Sequence, residues 1–378
     1  MKRKFTAVLC LAVAVAMLVA GPAHAMEGPA EVGTLAGTGS HGAYDGVEAQ
    51  FNLPMGIGSS PDGHILVADT FNSLIRAIDE DGVVSSLSLH FSELDESGFP
   101  IGGHWDRYIE IAFFNRPSGF AEGLHGWIFV ADTHNHAIRA IIGDRVYTMA
   151  GGFGEGFEDA LRLEAQFSHP SAIAASPDGY IYVADTGNHV IRRIDPTGNV
   201  TTLAGVAGSF GYNNGPLGAA LFDSPMGLAF CHEGRLFVAD TGNNVIRVIE
   251  DGVVSTFAGS RVTMEDEDLG EWADVAIGGF YDAASPEALF NRPKGLAFWE
   301  GILFVADSGN HRIRAVVDDE VLTVSGTGYP GHMDGSFAEA MFFLPSGLYV
   351  FGGELLVADK GNNMIRSLDL TAFLDGME

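Results

Sequence analysis

Six aspartates and six arginines recur along the chain and are the first candidates for chemistry. In every copy the arginine follows the aspartate by seven residues, in the pattern Val-Ala-Asp-x-x-Asn-x-x-Ile-Arg. The aspartates are Asp69, Asp132, Asp185, Asp240, Asp307 and Asp359, and the arginines are Arg76, Arg139, Arg192, Arg247, Arg314 and Arg366. Catalysis needs one special site, whereas six equal copies are typical of a structural role. We therefore expect each carboxylate to accept N–H groups of its own turn, and each arginine to pair with an acid between packed sheets.

Histidine occupies one position of the repeated turn in three copies, at His136, His189 and His311. Serine or asparagine takes that position in the other copies, so we interpret these histidines as hydrogen-bonding turn residues. A zinc pair at His134 and His136 lacks an evident third ligand, and the sequence disfavours zinc. A metal-dependent enzyme would instead be indicated if three or more side chains of a wider set of histidines and aspartates came together around one point. That set is His134, His136, His169, Asp45 and Asp334.

Two long connections carry acids and tryptophans. Glu265, Asp266 and nearby acids could hold a structural calcium ion, because hard cations take several carboxylates, although the spacing of a known calcium loop is missing. A solvated acidic loop is the alternative. Trp272 in the same connection and Trp105 in an earlier one offer aromatic surface to a sugar or protein. These four residues are the candidate ligand contacts, and the sequence assigns no catalytic, cofactor or metal residue.

The elements that position these residues are repeats. Close copies of residues 183–194 occur five more times, and each ends one apolar strand, turns, and begins another, which predicts a β-hairpin. Successive aspartates lie roughly 52 to 67 residues apart, enough for four short strands and a long connection. The sequence therefore predicts an all-β fold, a six-bladed β-propeller of four-stranded blades. Hairpin cores are predicted near residues 64–79, 127–142, 180–195, 235–250, 302–317 and 354–369.

The two ends of the repeat region complement each other. Residues 32–36 match the fourth-strand position of other units, and the last unit ends after its third strand. We therefore predict that residues 32–36 supply the outer strand of the last blade and close the ring. Deleting residues 26–37 should then destabilise that blade far more than deleting residues 371–378.

The connections before the inner strands have the form Phe-Asn-x-Pro-x-Gly in several units. Proline at a strand entry costs no ladder hydrogen bond, and glycine permits close approach near a crowded axis. Strand direction places the Asp-Thr-Gly-Asn turns and the inter-blade connections on one face. We expect a ligand on that face, because long and irregular loops gather there.

The charge balance excludes some partners. The chain of 378 residues has 20 Lys and Arg against 49 Asp and Glu, a formal net charge of −29. Such a chain repels polyanions, so we expect no nucleic-acid partner and no attraction to anionic lipids. The same charge opposes self-association, which favours a monomer.

The first residues predict export. Residues 1–25 combine a basic start, an apolar run and an Ala-His-Ala site, the pattern of a cleaved secretory signal peptide. A retained membrane anchor is the alternative, but the apolar run is short for a span. Residues 26–378 would then form one propeller domain, secreted or held in the cell envelope, without stable membrane insertion. Cys231 is the one cysteine after residue 25, so no intramolecular disulfide is expected.

The repeated motif, with Pro-x-Gly upstream, resembles NHL-repeat proteins, which fold as six-bladed propellers; the resemblance covers about residues 31–370 and suggests a secreted bacterial-type member. Such propellers serve as binding modules and as enzymes. In related amidating lyases, zinc-binding histidines follow the inner-strand proline, and lactonase-type relatives place acids and an asparagine around a metal at the channel mouth. Here the post-proline positions are Met55, Ser118, Ser171, Met226, Lys294 and Ser346.

None of these six residues is a histidine or a carboxylate. Their absence from these positions favours a secreted, non-catalytic binding or scaffold propeller that recognises a protein or glycan through its long inter-blade loops. The alternative is a metal-dependent lyase or lactonase-like enzyme with its site at the channel mouth. RNA-binding relatives use a basic face, which this acidic chain lacks overall. The sequence identifies no cofactor and leaves a structural calcium ion open.

Overall fold

The computed structural model describes residues 31–88, 106–261, 264–266, 271–273 and 278–376. These residues contain six antiparallel sheets built on four strands each. Each inner strand packs against the inner strands of both neighbouring sheets, and the sixth packs against the first. The predicted six-bladed β-propeller is therefore confirmed. The proposed signal peptide lies outside the described residues, and no helix among the described residues is long and apolar enough to cross a membrane.

The first three blades are regular. Blade 1 consists of Gly56–Ser59, Ile65–Asp69, Leu74–Ile78 and Val84–Ser86. Blade 2 consists of Pro117–Glu122, Ile128–Asp132, Ala137–Ile142 and Arg145–Gly151. Blade 3 consists of Pro170–Ala175, Ile181–Asp185, Val190–Ile194 and Val200–Ala204.

The last three blades each gain a two-residue edge strand from a connection. Blade 4 consists of Pro225–Phe230, Leu236–Asp240, Val245–Glu250 and Val253–Ala258, with Gly215–Pro216 at its edge. Blade 5 consists of Pro293–Trp299, Ile302–Asp307, Arg312–Val317 and Glu320–Ser325, with Ala283–Ala284. Blade 6 consists of Pro345–Phe351, Glu354–Asp359, Met364–Asp369 and Glu31–Ala36, with Gly335–Ser336.

The second strand of a blade is an apolar run because neighbouring blades cover both of its faces. All five residues of Leu236–Asp240, Leu-Phe-Val-Ala-Asp, are buried. Apolar clusters lie between adjacent blades, and each includes a fully buried phenylalanine such as Phe167 or Phe222. Burial of this apolar surface, worth about 25 cal/mol per Å², holds the blades against one another.

The N-terminal strand closes the ring, as predicted. Val32 pairs with Leu368 and Thr34 pairs with Arg366, so Glu31–Ala36 forms the outer strand of blade 6. A feature absent from the sequence interpretation follows: residues Leu370–Asp375 form a short helix that buries Leu370 and Phe373 in the core of blades 5 and 6. The carboxyl end of the described chain therefore contributes to the core as well.

The repeated hairpin turn is a 3₁₀ turn closed by a left-handed residue. The turns are Thr70–Asn72, Thr133–Asn135, Thr186–Asn188, Thr241–Asn243, Ser308–Asn310 and Lys360–Asn362. Further 3₁₀ turns are Ile109–Ile111, Leu124–Gly126 and Arg162–Glu164. Hydrogen bonds from the turn asparagines to connection carbonyls, such as Asn188 to Gly156 at 2.8 Å, confirm that turns and connections share a face.

Inner-strand glycines bring neighbouring blades into backbone contact. A Cβ on Gly227 would lie 1.8 Å from the carbonyl oxygen of Lys294, and one on Gly295 would lie 2.0 Å from that of Ser346. No larger side chain fits at such distances, which accounts for the Pro-x-Gly pattern and confirms the predicted close approach at the axis.

Candidate functional site

Each repeated aspartate is fully buried and ties its turn to the preceding connection. One carboxylate oxygen of Asp185 accepts a hydrogen bond from the Ser168 backbone N–H at 2.7 Å. The other accepts hydrogen bonds from the side chains of Asn188 and Arg192, each at 2.8 Å. The other five blades repeat this set. The expectation that the carboxylate accepts backbone N–H groups of its own turn was wrong: the backbone donor to Asp185 lies 17 residues earlier, and the turn contributes the side-chain amide of Asn188 instead.

Each repeated arginine also reaches a polar group in the preceding connection. Arg192 Nη2 donates to Asp159 at 2.7 Å, and Asp159 accepts the Thr202 N–H of the outer strand at 2.9 Å. The arginine thereby fastens turn, connection and outer strand together. The connection residues are Asp45, Asp106, Asp159, Asn214, Asp282 and Asp334. Asp45 and Asp334 therefore belong to structural ion pairs rather than to a convergent metal site.

The arginine side chains are wholly buried and lie against aromatic rings. Arg192 Cζ lies 5.0 Å from the ring centroid of Phe167 and 4.7 Å from that of Phe157. Burial raises the pKa of five aspartates to about 6, against the opposing effect of their arginines and hydrogen-bond donors; these are Asp69, Asp185, Asp240, Asp307 and Asp359. At neutral pH each is ionised, so each pair is a buried ion pair, and removing one partner is costly.

A second ring of hydrogen bonds, the inter-blade belt, joins each blade to the next. The residue after each 3₁₀ turn accepts the N–H of the residue before the next inner-strand proline, as His189 Nδ1 does from Ser224 at 3.0 Å. The acceptors are Ser73, His136, His189, Asn244, His311 and Asn363, and the donors are Arg116, His169, Ser224, Arg292, Leu344 and Leu53. All twelve have φ between 49° and 58°. The turn histidines thus act as neutral acceptors, in line with their interpretation as hydrogen-bonding residues.

Because the repeated residues hold the fold, ligand-specific chemistry must come from positions where the six units differ. The six post-proline residues line a central channel with a volume of about 340 Å³. Ser118 and Ser346 donate to backbone carbonyls of the next blade, at 2.8 Å to Ser171 and 3.2 Å to Met55. Lys294 instead brings a charged group to the channel.

Lys294 lines the channel, and the turn that begins with Lys360 packs against the inner strand of blade 6, which neighbours the strand of Lys294. Burial, followed by the charges of Lys360 and Arg292, lowers the pKa of Lys294 to about 8. Burial also lowers the pKa of Lys360. Within the described residues, neither lysine ammonium makes a hydrogen bond or ion pair. We name Lys294, Lys360 and Arg292 the cationic mouth.

Three of the histidines named from the sequence converge between blades 2 and 3. The His169 ring centroid lies 5.1 Å from that of His134 and 4.6 Å from that of His136. Burial, followed by the charges of Arg116 and the other two histidines, lowers the pKa of His134 to about 4; burial also lowers the pKa of His136. Among the described residues, no group of three or more His, Cys, Asp or Glu side chains is arranged to hold a metal ion. The rings of His134 and His136 each meet the ring of His169 edge to face, in a contact between blades 2 and 3.

Exposed aromatic side chains extend from the connections of the turn-bearing face. They are Tyr44, Phe153, Phe210 and Tyr329, which are 72%, 73%, 71% and 74% exposed. Phe210 also contacts the turn residue His189, with 5.7 Å between ring centroids. Sequence reasoning missed these residues, although each follows or lies within a glycine-rich connection.

The candidate contacts named from the sequence are only partly placed. Trp105 lies outside the described residues. Glu265, Asp266 and Trp272 lie on a two-stranded ribbon, Met264–Asp266 paired with Glu271–Ala273, in which Glu265 is opposite Trp272. The ribbon forms a sheet apart from the blades. Lys360 was missed altogether, and Lys294 was noted from the sequence without a role, although lysine is rare in this chain.

Comparison with known proteins agrees with the repeat architecture. A family model described as NHL repeat matches residues 167–194 and 290–315. NHL repeat-containing protein 2 of Homo sapiens is 30% identical over 344 residues, covering 81% of this chain and 45% of that protein. Protein SUPPRESSOR OF QUENCHING 1, chloroplastic, of Arabidopsis thaliana is 30% identical over 283 residues, covering 71% of this chain and 26% of that protein. The chain thus spans less than half the length of these two relatives.

Solved structures share the fold at low identity. A protein of unknown function from Bacteroides thetaiotaomicron has a TM-score of 0.66 at 19% identity, covering 90% of this chain and 76% of that one. An auxiliary nutrient binding protein from the same organism has a TM-score of 0.62 at 14% identity, with the same coverage. At these identities the likeness shows the fold alone. The family model and the closed ring of blades together show that the chain contains NHL repeats and folds as a six-bladed β-propeller.

Proposed function

We propose that the protein is a secreted, non-catalytic propeller that binds a protein or glycan at its turn-bearing face. The observation that carries this proposal is the set of four exposed aromatic side chains on the connections of that face, each more than 70% exposed. Aromatic rings give large contact area to peptides and sugars at little cost in conformational entropy. They stand on four different inter-blade connections, so a ligand that spans them would contact several blades at once.

The use of the polar residues supports a binding role. The repeated aspartates, arginines and asparagines are engaged in hydrogen bonds within and between blades, so they support a rigid platform. Binding residues placed on loops of a rigid scaffold are a common arrangement. A solved protein of the same fold is described as a nutrient binding protein, which is an analogy at the level of fold alone.

Ligand screening with two matched variants tests the proposal. The purified wild type is screened on a glycan array and a displayed peptide library. The first variant replaces the four exposed aromatic residues together by serine: Tyr44, Phe153, Phe210 and Tyr329. The control replaces four other exposed residues by serine. Tyr147 and Val253 lie on outer strands, Tyr108 lies in a connection, and Leu124 lies in a turn of the opposite face. Ligands found with the wild type should lose at least about tenfold in affinity on the first variant and keep it on the control. Equal affinity of both variants would contradict the assigned face.

Export is tested separately. Expression of the full chain with its leader should release protein into the medium or envelope fraction, with an N-terminus at residue 26 by sequencing. An intact leader in the membrane fraction would show a retained anchor instead.

A metal-dependent lyase or lactonase is the second candidate, and the contact of His134, His136 and His169 is the observation that favours it. His136 Nδ1 already accepts the His169 N–H at 3.2 Å, which leaves its Nε2 for a metal. Elemental analysis of untagged protein dialysed without chelator decides between the candidates. About one zinc per chain, lost in His134→Asn/His169→Asn, would favour the enzymatic candidate and lead to a screen for lyase and lactonase activity.

A further inference from the structure

Lysine is almost absent from this chain, and its positions are informative. The sequence contains four lysines, Lys2, Lys4, Lys294 and Lys360, against 49 Asp and Glu. Lys294 and Lys360, which are 66 residues apart in sequence, come close enough in the fold for Lys360 to lower the pKa of Lys294. Every lysine after residue 4 therefore lies at the cationic mouth.

Lys360 stands where the other five units have threonine or serine. It begins the 3₁₀ turn of blade 6. Threonine takes this place in four units, and in three of them its hydroxyl donates to the proline carbonyl of the next blade, as Thr186 does to Pro225 at 2.6 Å. Lysine gives up that inter-blade bond and adds a charge, which a purely structural role does not require.

Lys294 departs in the same way at the channel wall. The equivalent serines donate to neighbouring backbone carbonyls. The adjacent turn, Ser308–Asn310, packs against the strand of Lys294, and the buried Ser308 hydroxyl has no hydrogen-bond partner among the described residues. The turn beside this strand therefore holds a buried polar group without its complement.

Like charges held together at a half-buried mouth destabilise the unliganded protein. Both lysines are half-buried, no carboxylate is among the groups that shift their pKa, and Arg292 adds a third positive charge. Partial desolvation strengthens this repulsion, and a bound anion would reverse its sign. The mouth therefore attracts an anion locally, although the chain as a whole is acidic, because charges beyond about 10 Å are screened at 0.1 M salt.

The channel below the mouth is mainly apolar. Its walls include Met55, Met226, Leu228, Leu296 and Leu348. Its volume of about 340 Å³ lies within the range of about 300 to 1,000 Å³ that small-molecule sites occupy. A ligand that fits both parts has a charged head for the cations and an apolar body for the channel.

We propose that the cationic mouth and the channel together bind a small organic anion. Its carboxylate or phosphate head lies between Lys294, Lys360 and Arg292, and its apolar body enters the channel. This inference rests on the proposed binding role of the turn-bearing face and adds a ligand class to it. A neutral glycan or a peptide bound by the surrounding aromatic residues would use the same face without needing these cations.

Isothermal titration calorimetry with defined amphiphiles tests the site. The probes are octanoate, octyl phosphate, octanol and octylammonium, with acetate and inorganic phosphate as headgroups alone. Octanoate or octyl phosphate should bind at least about tenfold more tightly than octanol and octylammonium. Comparison of the two anions tells a carboxylate site from a phosphate site, and acetate or phosphate alone should bind more weakly. Octanol bound as tightly as the anions, or no binding of either anion, would overturn the inference.

Two charge-matched variants locate the binding. Lys294→Gln/Lys360→Gln removes the lysine charges, and Arg145→Gln/Arg162→Gln removes two charges from blade 2 and from the connection that follows it. The lysine variant should lose at least about tenfold in anion affinity and, freed of like-charge repulsion, unfold at a higher temperature than the wild type. Equal anion affinity of the two variants would refute the site.

This experiment separates the two proposals. If the aromatic variant loses its glycan or peptide ligand while octanoate and octyl phosphate do not bind, the ligand-class inference fails and the binding face stands. If the anions bind and the lysine variant abolishes binding while the aromatic variant has no effect on any ligand, the channel site stands and the aromatic face fails.

Discussion

Replacement of Asp185 by asparagine tests whether the buried ion pairs hold the blades together. The substitution keeps the shape of the side chain and removes its charge. Arg192 is then left fully buried with Asp159 as its remaining acid, and the Asp159 side chain is 42% exposed. The N–H of Ser168 and the amide of Asn188 also lose a carboxylate acceptor.

The magnitude follows from burial. Breaking a fully buried ion pair by removing one partner costs about 3 to 5 kcal/mol. The matched variant Asp159→Asn changes a carboxylate that is 42% exposed and keeps an oxygen acceptor for Arg192, so it should cost less. Blade 4 already has Asn214 at the position of Asp159, which shows that the fold tolerates a neutral group there.

Urea unfolding followed by tryptophan fluorescence measures both variants. With the slope of the transition unchanged, the midpoint shift reports the change in stability. Asp185→Asn should shift the midpoint at least about three times as far as Asp159→Asn, and Asn214→Asp should change it little. Equal shifts for Asp185→Asn and Asp159→Asn would refute the argument that burial makes the repeated aspartate the critical partner.

Three further predictions concern pH and the chain ends. Burial lowers the pKa of His136 and His311 below the ordinary 6.5, so at these two positions the unfolded chain binds more protons, and their contribution to stability falls as pH drops below about 6.5. His136→Asn/His311→Asn should show a shallower loss in urea unfolding between pH 7 and 5. Octanoate affinity, measured by calorimetry, should fall as pH rises above about 8, because Lys294 loses its charge beside Lys360 and Arg292. Deleting residues 26–37 should lower the thermal midpoint more than deleting residues 371–378, which itself costs about 1.5 to 3 kcal/mol through loss of the buried Phe373.

Each of these has a clear contrary outcome. An unchanged pH slope in the histidine variant would show that the inter-blade belt does not depend on neutral histidine. Constant octanoate affinity from pH 7 to 10 would remove Lys294 from the anion site. Equal midpoints for the two truncations would contradict closure of the ring by the N-terminal strand.

Local sequence patterns determined the architecture of the blades. The motif Val-Ala-Asp-x-x-Asn-x-x-Ile-Arg encodes two strands and a turn within a dozen residues, and six copies imply six blades. The missing fourth strand of the last unit was enough to predict the role of Glu31–Ala36. These inferences succeeded because hairpins depend on neighbours in sequence and because a propeller repeats them.

Contacts between distant segments were decided by the tertiary structure. The acids that complete each arginine pair lie about 33 residues from it, as Asp159 does from Arg192, and the sequence showed only acids within glycine-rich connections. The inter-blade belt joins different units, so no pattern within one unit reveals it. The helix Leu370–Asp375 was missed because its stability comes from packing Phe373 into the core rather than from its short sequence.

The cationic mouth shows the same division most clearly. The sequence alone shows that Lys294 and Lys360 occupy positions where other units have small polar residues or methionine, and that they are the lysines beyond residue 4. Packing of blade 6 against blade 5 brought Lys360 near Lys294 and Arg292, beside the channel. Like-charged residues do not attract one another, so no pairing rule in the sequence predicts their proximity. The packed backbone holds them there, and the stability of the whole propeller offsets their repulsion.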